Sequence, residues 1–181
     1  MVVTPSAMIE LGTQIPPFSL TNANGNSWSP TSGTATLVIF MCNHCPYVIH
    51  VAELLQTVHG VCKEHGVAMC GINSNDITTH PDDSPEKMVE AAANYSWTFP
   101  YLFDETQEVA KRFGATCTPD VFLFSADGNL YYRGQFDHTR PNDETKGDGS
   151  DLISAIQHLV NGDPSPENQT PAVGCNIKWK Q

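Results

Sequence analysis

The chain has 181 residues, 40% hydrophobic and 16% charged, with 9 Lys and Arg against 20 Asp and Glu for a net charge of −11. That length suits one domain with an ample core, and the apolar fraction excludes a disordered chain. No apolar run approaches the ~18 residues of a membrane helix, and the acidic excess disfavours nucleic acid or an anionic membrane as a partner, because both need a basic surface.

Met1 to Gly12 has no positive residue and no apolar core of the secretory kind, so a cytoplasmic location is expected. Residues 14–30 form a lead-in: Phe18-Ser19-Leu20 and Ser27-Trp28-Ser29 alternate around Asn24-Gly25, a strong hairpin signal. Ala35 to Met41 is a near-continuous β-branched and aromatic run, suited to a strand buried on both faces. A helix follows, with Val48, Val51, Ala52, Leu55, Val58, His59 and Cys62 on one stripe and Gly66 at its end. Val67 to Asn73 reads as a second buried strand, which completes a βαβ unit.

Residues 74–84 form a polar loop, and Ser84-Pro85 starts a helix whose apolar face holds Met88, Val89, Ala92 and Ala93. Gln107 to Phe113 is a short helix stopped by Gly114. Asp120 to Phe124 and Leu130 to Arg133 form a hairpin around Asp127-Gly128. After a polar stretch, Leu152, Ile153, Ile156, Leu159 and Val160 mark a last helix capped by Gly162. The sequence therefore predicts an N-terminal segment (1–13), one α/β domain (14–162) and an irregular tail (163–181).

Cys42-Asn43-His44-Cys45-Pro46 stands where the first strand of the βαβ unit meets its helix. Two cysteines three apart on a first helical turn can close a small disulfide. Free backbone N–H groups and the positive helix end favour the thiolate of the first, which is the attacking form. The carboxyl end of a strand is also where α/β sheets bind ligands. Cys117-Thr118-Pro119 is a second marker, with its proline placed to begin a strand.

On these motifs the chain resembles thioredoxin-fold proteins of the group joining the AhpC/TSA peroxiredoxin-like proteins to TlpA/ResA-like thiol–disulfide oxidoreductases. Within that group it resembles bacterial members with a CNHCPYV-type motif, here Cys42 to Val48, and a GCNIKW-type tail, here Gly174 to Trp179. The resemblance implies a central mixed sheet flanked by helices, with an N-terminal β-hairpin extension. It implies an enzyme of thiol–disulfide exchange, with Cys42 as nucleophile and Cys45 resolving the mixed disulfide. Asn43, Thr118 and Pro119 would hold the extended backbone of a disulfide-bearing substrate, and another thiol protein would supply electrons. No organic cofactor or metal is required. His44, before the second cysteine, is expected to stabilise the Cys42 thiolate, which would raise the potential above thioredoxin's roughly −270 mV.

Two departures qualify the family reading. The peroxiredoxin motif PxxxTxxC places its peroxidatic cysteine at Cys45, but Cys42 replaces the threonine and the opening proline is missing. Thr36 stands where thioredoxins bury an acid, so the proton acceptor for Cys45 is sought among Asp76, Asp104 and Glu105 near strand ends. A thiol peroxidase is the first alternative. A copper carrier using Cys42, His44 and Cys45, like Sco-type chaperones, is the second, although those space their cysteines more widely. A closed zinc site lacks a second ligand pair. Cys62 and Cys70 read as core, while Cys117 either faces the motif as an additional redox thiol or packs beneath it, the packing position being preferred. Cys175 is either a resolving thiol or part of a tail docked by Ile177 and Trp179.

Overall fold

The computed structural model describes residues 3–181. In chain order they form β1 (Val3–Pro5), β2 (Leu20–Asn22), β3 (Ser27–Trp28), β4 (Thr36–Phe40), α1 (Pro46–Glu64), β5 (Ala68–Asn73), a 3₁₀ turn at Pro81–Asp83, α2 (Pro85–Asn94), β6 (Tyr101–Phe103), α3 (Glu108–Phe113), β7 (Cys117–Thr118), β8 (Asp120–Phe124), β9 (Leu130–Tyr132), α4 (Ser150–Asn161) and β10 (Val173–Asn176).

Seven strands make the central mixed sheet, in the order β3-β2-β6-β5-β4-β8-β9. β4 runs parallel to β5 and antiparallel to β8, and β2 with β3 is the expected lead-in hairpin at one edge. Every residue of β4 is buried, as its uninterrupted apolar run requires for a strand covered on both faces. Leu37, Ile39 and Met41 pack on the side of α1 and α4, while Val38 and Phe40 pack towards Phe113 of α3. The α1 stripe is buried at Val48, Val51, Ala52, Leu55, Val58 and Cys62. Of the expected α2 face only Met88 is buried, and Val89 is exposed.

The antiparallel course of β8 decides what meets Cys42. Asp120, its first residue, pairs with Phe40, the last of β4, so residues 117–119 return beside residues 41–43. β5 also ends on this side, because it is parallel to β4, and the loop beyond Asn73 lies there too.

The segment read as an irregular tail is ordered along much of its length. Gln135 donates its backbone N–H to Thr170 O (2.9 Å), and the Ser165 hydroxyl donates to Tyr131 O (2.6 Å). β10 is the middle strand of a second, three-stranded sheet, between β1 and β7. These strands are two to four residues long and lie beside prolines, so they carry no alternation for a sequence reading to detect.

Candidate functional site

Pro46 opens α1 at a position where its missing N–H costs nothing. Cys45 is the residue immediately before the helix, and its side chain makes no capping hydrogen bond. Its sulfur is instead joined to Cys175 of β10, 130 residues away, with a Cα separation of 6.2 Å. This replaces the Cys42–Cys45 bond that the spacing suggests, and Cys42 stays a buried thiol. Both sulfurs of the motif converge on one residue: Cys42 Sγ is 3.4 Å from Thr118 Oγ1, and Cys45 Sγ is 3.2 Å from Thr118 O. The Thr118–Pro119 peptide bond is cis.

Asp83, which the sequence reading passed over, sits fully buried at the centre of the site. It accepts the Asn43 backbone N–H at 2.8 Å and the Asn75 amide at 2.7 Å. His44 Nδ1 lies 2.7 Å from Asp83 Oδ2, an approach made by charge rather than by a well-directed hydrogen bond. The carboxylate holds the His44 imidazole above its ordinary pKa. His44 and Asn75 together keep the Asp83 carboxyl below the usual range, despite a burial cost in the other direction. On its outer side the His44 ring stacks on His80, with centroids 5.4 Å apart.

This geometry corrects the expectation for His44. Its nitrogen is engaged by Asp83, and burial followed by the Asp83 charge pushes the Cys42 thiol up to about 11. The Thr118 hydroxyl and the backbone N–H groups of Cys45 and His44 act in the favourable direction but are outweighed. The helix start therefore helps the thiolate, as expected, without deciding its pKa. In this disulfide state the thiol is protonated near neutral pH.

The three expected proton acceptors are placed elsewhere. Asp104 accepts from the Ala110 backbone N–H (2.9 Å) and the Ser74 hydroxyl (2.9 Å), which organises α3. Asp76 is taken up by Thr78 and Thr79, and Glu105 is exposed. Asp83 is the carboxylate in contact with the motif. It falls in a polar loop with no helical or strand pattern, 41 residues from Cys42, so no local signal marked it.

The residues expected to hold a substrate are also engaged internally. The Asn43 side chain donates to Asp82 O (3.0 Å) and accepts from the Tyr101 hydroxyl (2.9 Å). At the Thr118 edge, Cys175 pairs with Thr118 and Asn176 with Cys117, so β10 lies where an extended partner was expected. Cys117 is a buried thiol, its sulfur 3.6 Å from Pro119 O, and burial raises its pKa strongly. Cys62 and Cys70 are buried free thiols in the two core clusters. Beyond Cys175, Ile177 is buried and Trp179 is exposed. For a metal, Cys42, His44 and Asp83 offer ligand atoms within 4.8 Å of one another, whereas Cys45 is committed to its disulfide.

The sequence matches the AhpC/TSA family over residues 11–133. The chain belongs to that family. Among solved structures it is similar to an uncharacterized conserved protein from Geobacillus kaustophilus, at 45% identity over 99% of this chain and 97% of that one, with a TM-score of 0.95. A hypothetical protein from Sinorhizobium meliloti 1021 is 39% identical over 98% of both chains, with a TM-score of 0.94. A secreted disulfide oxidoreductase of Mycobacterium tuberculosis, homologous to E. coli DsbE, matches 78% of this chain and 96% of its own at 19% identity and a TM-score of 0.61, a likeness of fold. No curated protein matches. The AhpC/TSA chain thus has a thioredoxin-like fold, and no helix among the described residues is long and apolar enough to cross a membrane.

Proposed function

We propose that the chain is a thiol–disulfide oxidoreductase in which Cys42 is the nucleophile and Cys45 the resolving cysteine, with Cys175 holding Cys45 in the resting form. Cys42, once deprotonated, attacks Cys45 Sγ. The Cys42–Cys45 bond forms, the Cys45–Cys175 bond breaks, and Cys175 leaves as a thiolate that takes up a proton. A dithiol partner then attacks Cys42, and its second thiol closes the partner's own disulfide, leaving Cys42 and Cys45 reduced. Run in reverse, the reduced pair passes two electrons to a partner disulfide.

The observation that carries this reading is the convergence of both motif sulfurs on Thr118 while one of them is already in a disulfide. Exchange between neighbouring sulfurs needs only a thiolate and a short approach. Insulin reduction by the wild type and by Cys42→Ser tests it. Wild type should turn over and the variant should not; a variant at full rate rejects Cys42 as the nucleophile.

A thiol peroxidase is a second reading, favoured by one observation. The disulfide joins Cys45, at the peroxidatic position of the family motif, to a distant cysteine. In that chemistry a Cys45 thiolate takes oxygen from a peroxide to give a sulfenic acid and an alcohol or water. Cys175 then attacks the sulfenic sulfur, forming the disulfide and releasing water. Peroxide consumption with a thiol donor separates the two, because here Cys42→Ser should keep its rate and Cys175→Ser should not.

A further inference from the structure

An oxidoreductase that serves an outside partner must present a sulfur to it, and this site presents none. The relative exposures of Cys42, Cys45 and Cys175 are 1%, 0% and 2%. An element has to move, and β10 is the one that carries a sulfur and closes the site. Two register pairs join it to β7, at Cys175–Thr118 and Asn176–Cys117. Its other neighbour is β1, from the opposite end of the chain, and neither strand belongs to the central sheet. Beyond the strand the chain is fastened again. Lys178 donates its N–H to Asn75 Oδ1 (2.8 Å) and accepts from the Asp76 N–H (2.8 Å), and Lys180 donates to Gln107 Oε1 (2.8 Å). β10 can therefore lift without the end of the chain leaving the body.

We infer that β10 is an internal stand-in for a peptide substrate, and that exchange at Cys42 frees it so that the edge of β7 can take an extended peptide with glycine directly before its cysteine. The inference rests on the proposed exchange between Cys42 and Cys45. The glycine requirement comes from Gly174. A Cβ there would overlap the Thr118 carbonyl oxygen, so the backbone of the paired strand comes too close for any side chain at that register position. A flanking peptide in the same antiparallel register meets the same carbonyl, since backbone pairing supplies affinity and the close positions supply selectivity. In that register the peptide's cysteine takes the place of Cys175 on Cys45, where Cys42 displaces it as it displaces Cys175, so the arrangement selects extended chains with a Gly-Cys pair.

Two measurements on the full chain test this. In the first, amide hydrogen exchange is compared between the oxidised and the fully reduced wild type. Residues 173–177 should exchange at least about tenfold faster after reduction while β4 and α1 keep their protection, and unchanged protection of 173–177 overturns the proposal. In the second, the Cys42→Ser, Cys175→Ser double variant, which keeps Cys45, is mixed with a synthetic peptide of residues 171–177 activated as a thiopyridyl disulfide. The Cys45 thiolate attacks the peptide sulfur and thiopyridine leaves. Capture should be at least about tenfold faster than for the same peptide with alanine in place of its glycine, and equal rates overturn the glycine requirement. Insulin reduction by the wild type reads the underlying exchange separately, so the proposal can fail while that reading stands.

Discussion

His44 Nδ1 and Asp83 Oδ2 approach to 2.7 Å at the rim of the sulfur cluster, and this contact changes what each residue does for Cys42. A histidine beside a redox cysteine can lend it positive charge. Here that charge is met by a buried carboxylate whose own field acts on the thiol in the opposite sense. The net effect is a thiol held protonated until exchange or a partner alters its surroundings. The same carboxylate is fastened through Asn75 to Lys178 of the C-terminal segment, so the electrostatics of Cys42 and the docking of that segment share one set of contacts.

Asp83→Asn should lower the Cys42 pKa from its value of about 11, because the negative charge that opposes the thiolate is removed while the shape is kept. The pH dependence of Cys42 alkylation, read by mass spectrometry of its peptide, measures this. A value that stays or rises contradicts the assigned role. Asp83→Ala should also cost about 2–4 kcal/mol in stability, since the Asn43 N–H and the Asn75 amide lose their buried acceptor.

The same pair gives stability a pH window. His44 has a raised pKa in the fold, so its contribution is complete below the unfolded imidazole value and is lost as pH rises through the folded one. Asp83 is lowered, so its contribution is present above the unfolded carboxylate value and is lost as pH falls through the folded one. The difference in Tm between wild type and His44→Gln should therefore be greatest at roughly pH 4 to 6.5 and shrink on the alkaline side. A difference that grows above that range would contradict the pair.

Asp120 behaves in the opposite way. Burial raises its carboxyl to about 6, and among the described residues its Oδ1 has no hydrogen-bond partner. The fold thus binds a proton that the unfolded chain has released, and stability falls as pH rises from the ordinary carboxylate value to about 6. Asp120→Asn should gain up to about 3 kcal/mol at pH 8 and little at pH 4. Chemical denaturation at the two pH values checks it.

Gly174→Ala should shift β10 off β7, because its new methyl group would overlap the Thr118 carbonyl. Overpacking of this kind costs about 1–3 kcal/mol. The fraction of Cys45–Cys175 bond at a fixed glutathione ratio should fall in step, and an unchanged fraction would show that the contact is relieved without moving the strand.

Much of the fold was legible because its signals are local and long. The β4 run, the α1 stripe with its Gly66 stop, and the α4 periodicity each decide an element from adjacent residues. The Cys42-Asn43-His44-Cys45 segment and Thr118-Pro119 stand out for the same reason, each being a short local motif. The partners of the motif were not. Asp83 reaches His44 through strand order, and Cys175 reaches Cys45 through a strand of four residues whose pairing is entirely long-range. β6, at three residues, and the β1–β10–β7 sheet lack the length for a period to show. A two-residue motif spacing says which sulfurs can bond, and only the return of the chain says which do.

Disulfide mapping by mass spectrometry, on oxidised wild type and oxidised Cys175→Ser, tests the three-sulfur exchange most directly. Wild type should give a Cys45–Cys175 bond with Cys42 free, and Cys175→Ser should give a Cys42–Cys45 bond. A Cys175→Ser protein in which Cys42 and Cys45 stay separate thiols under the same oxidant would contradict the account.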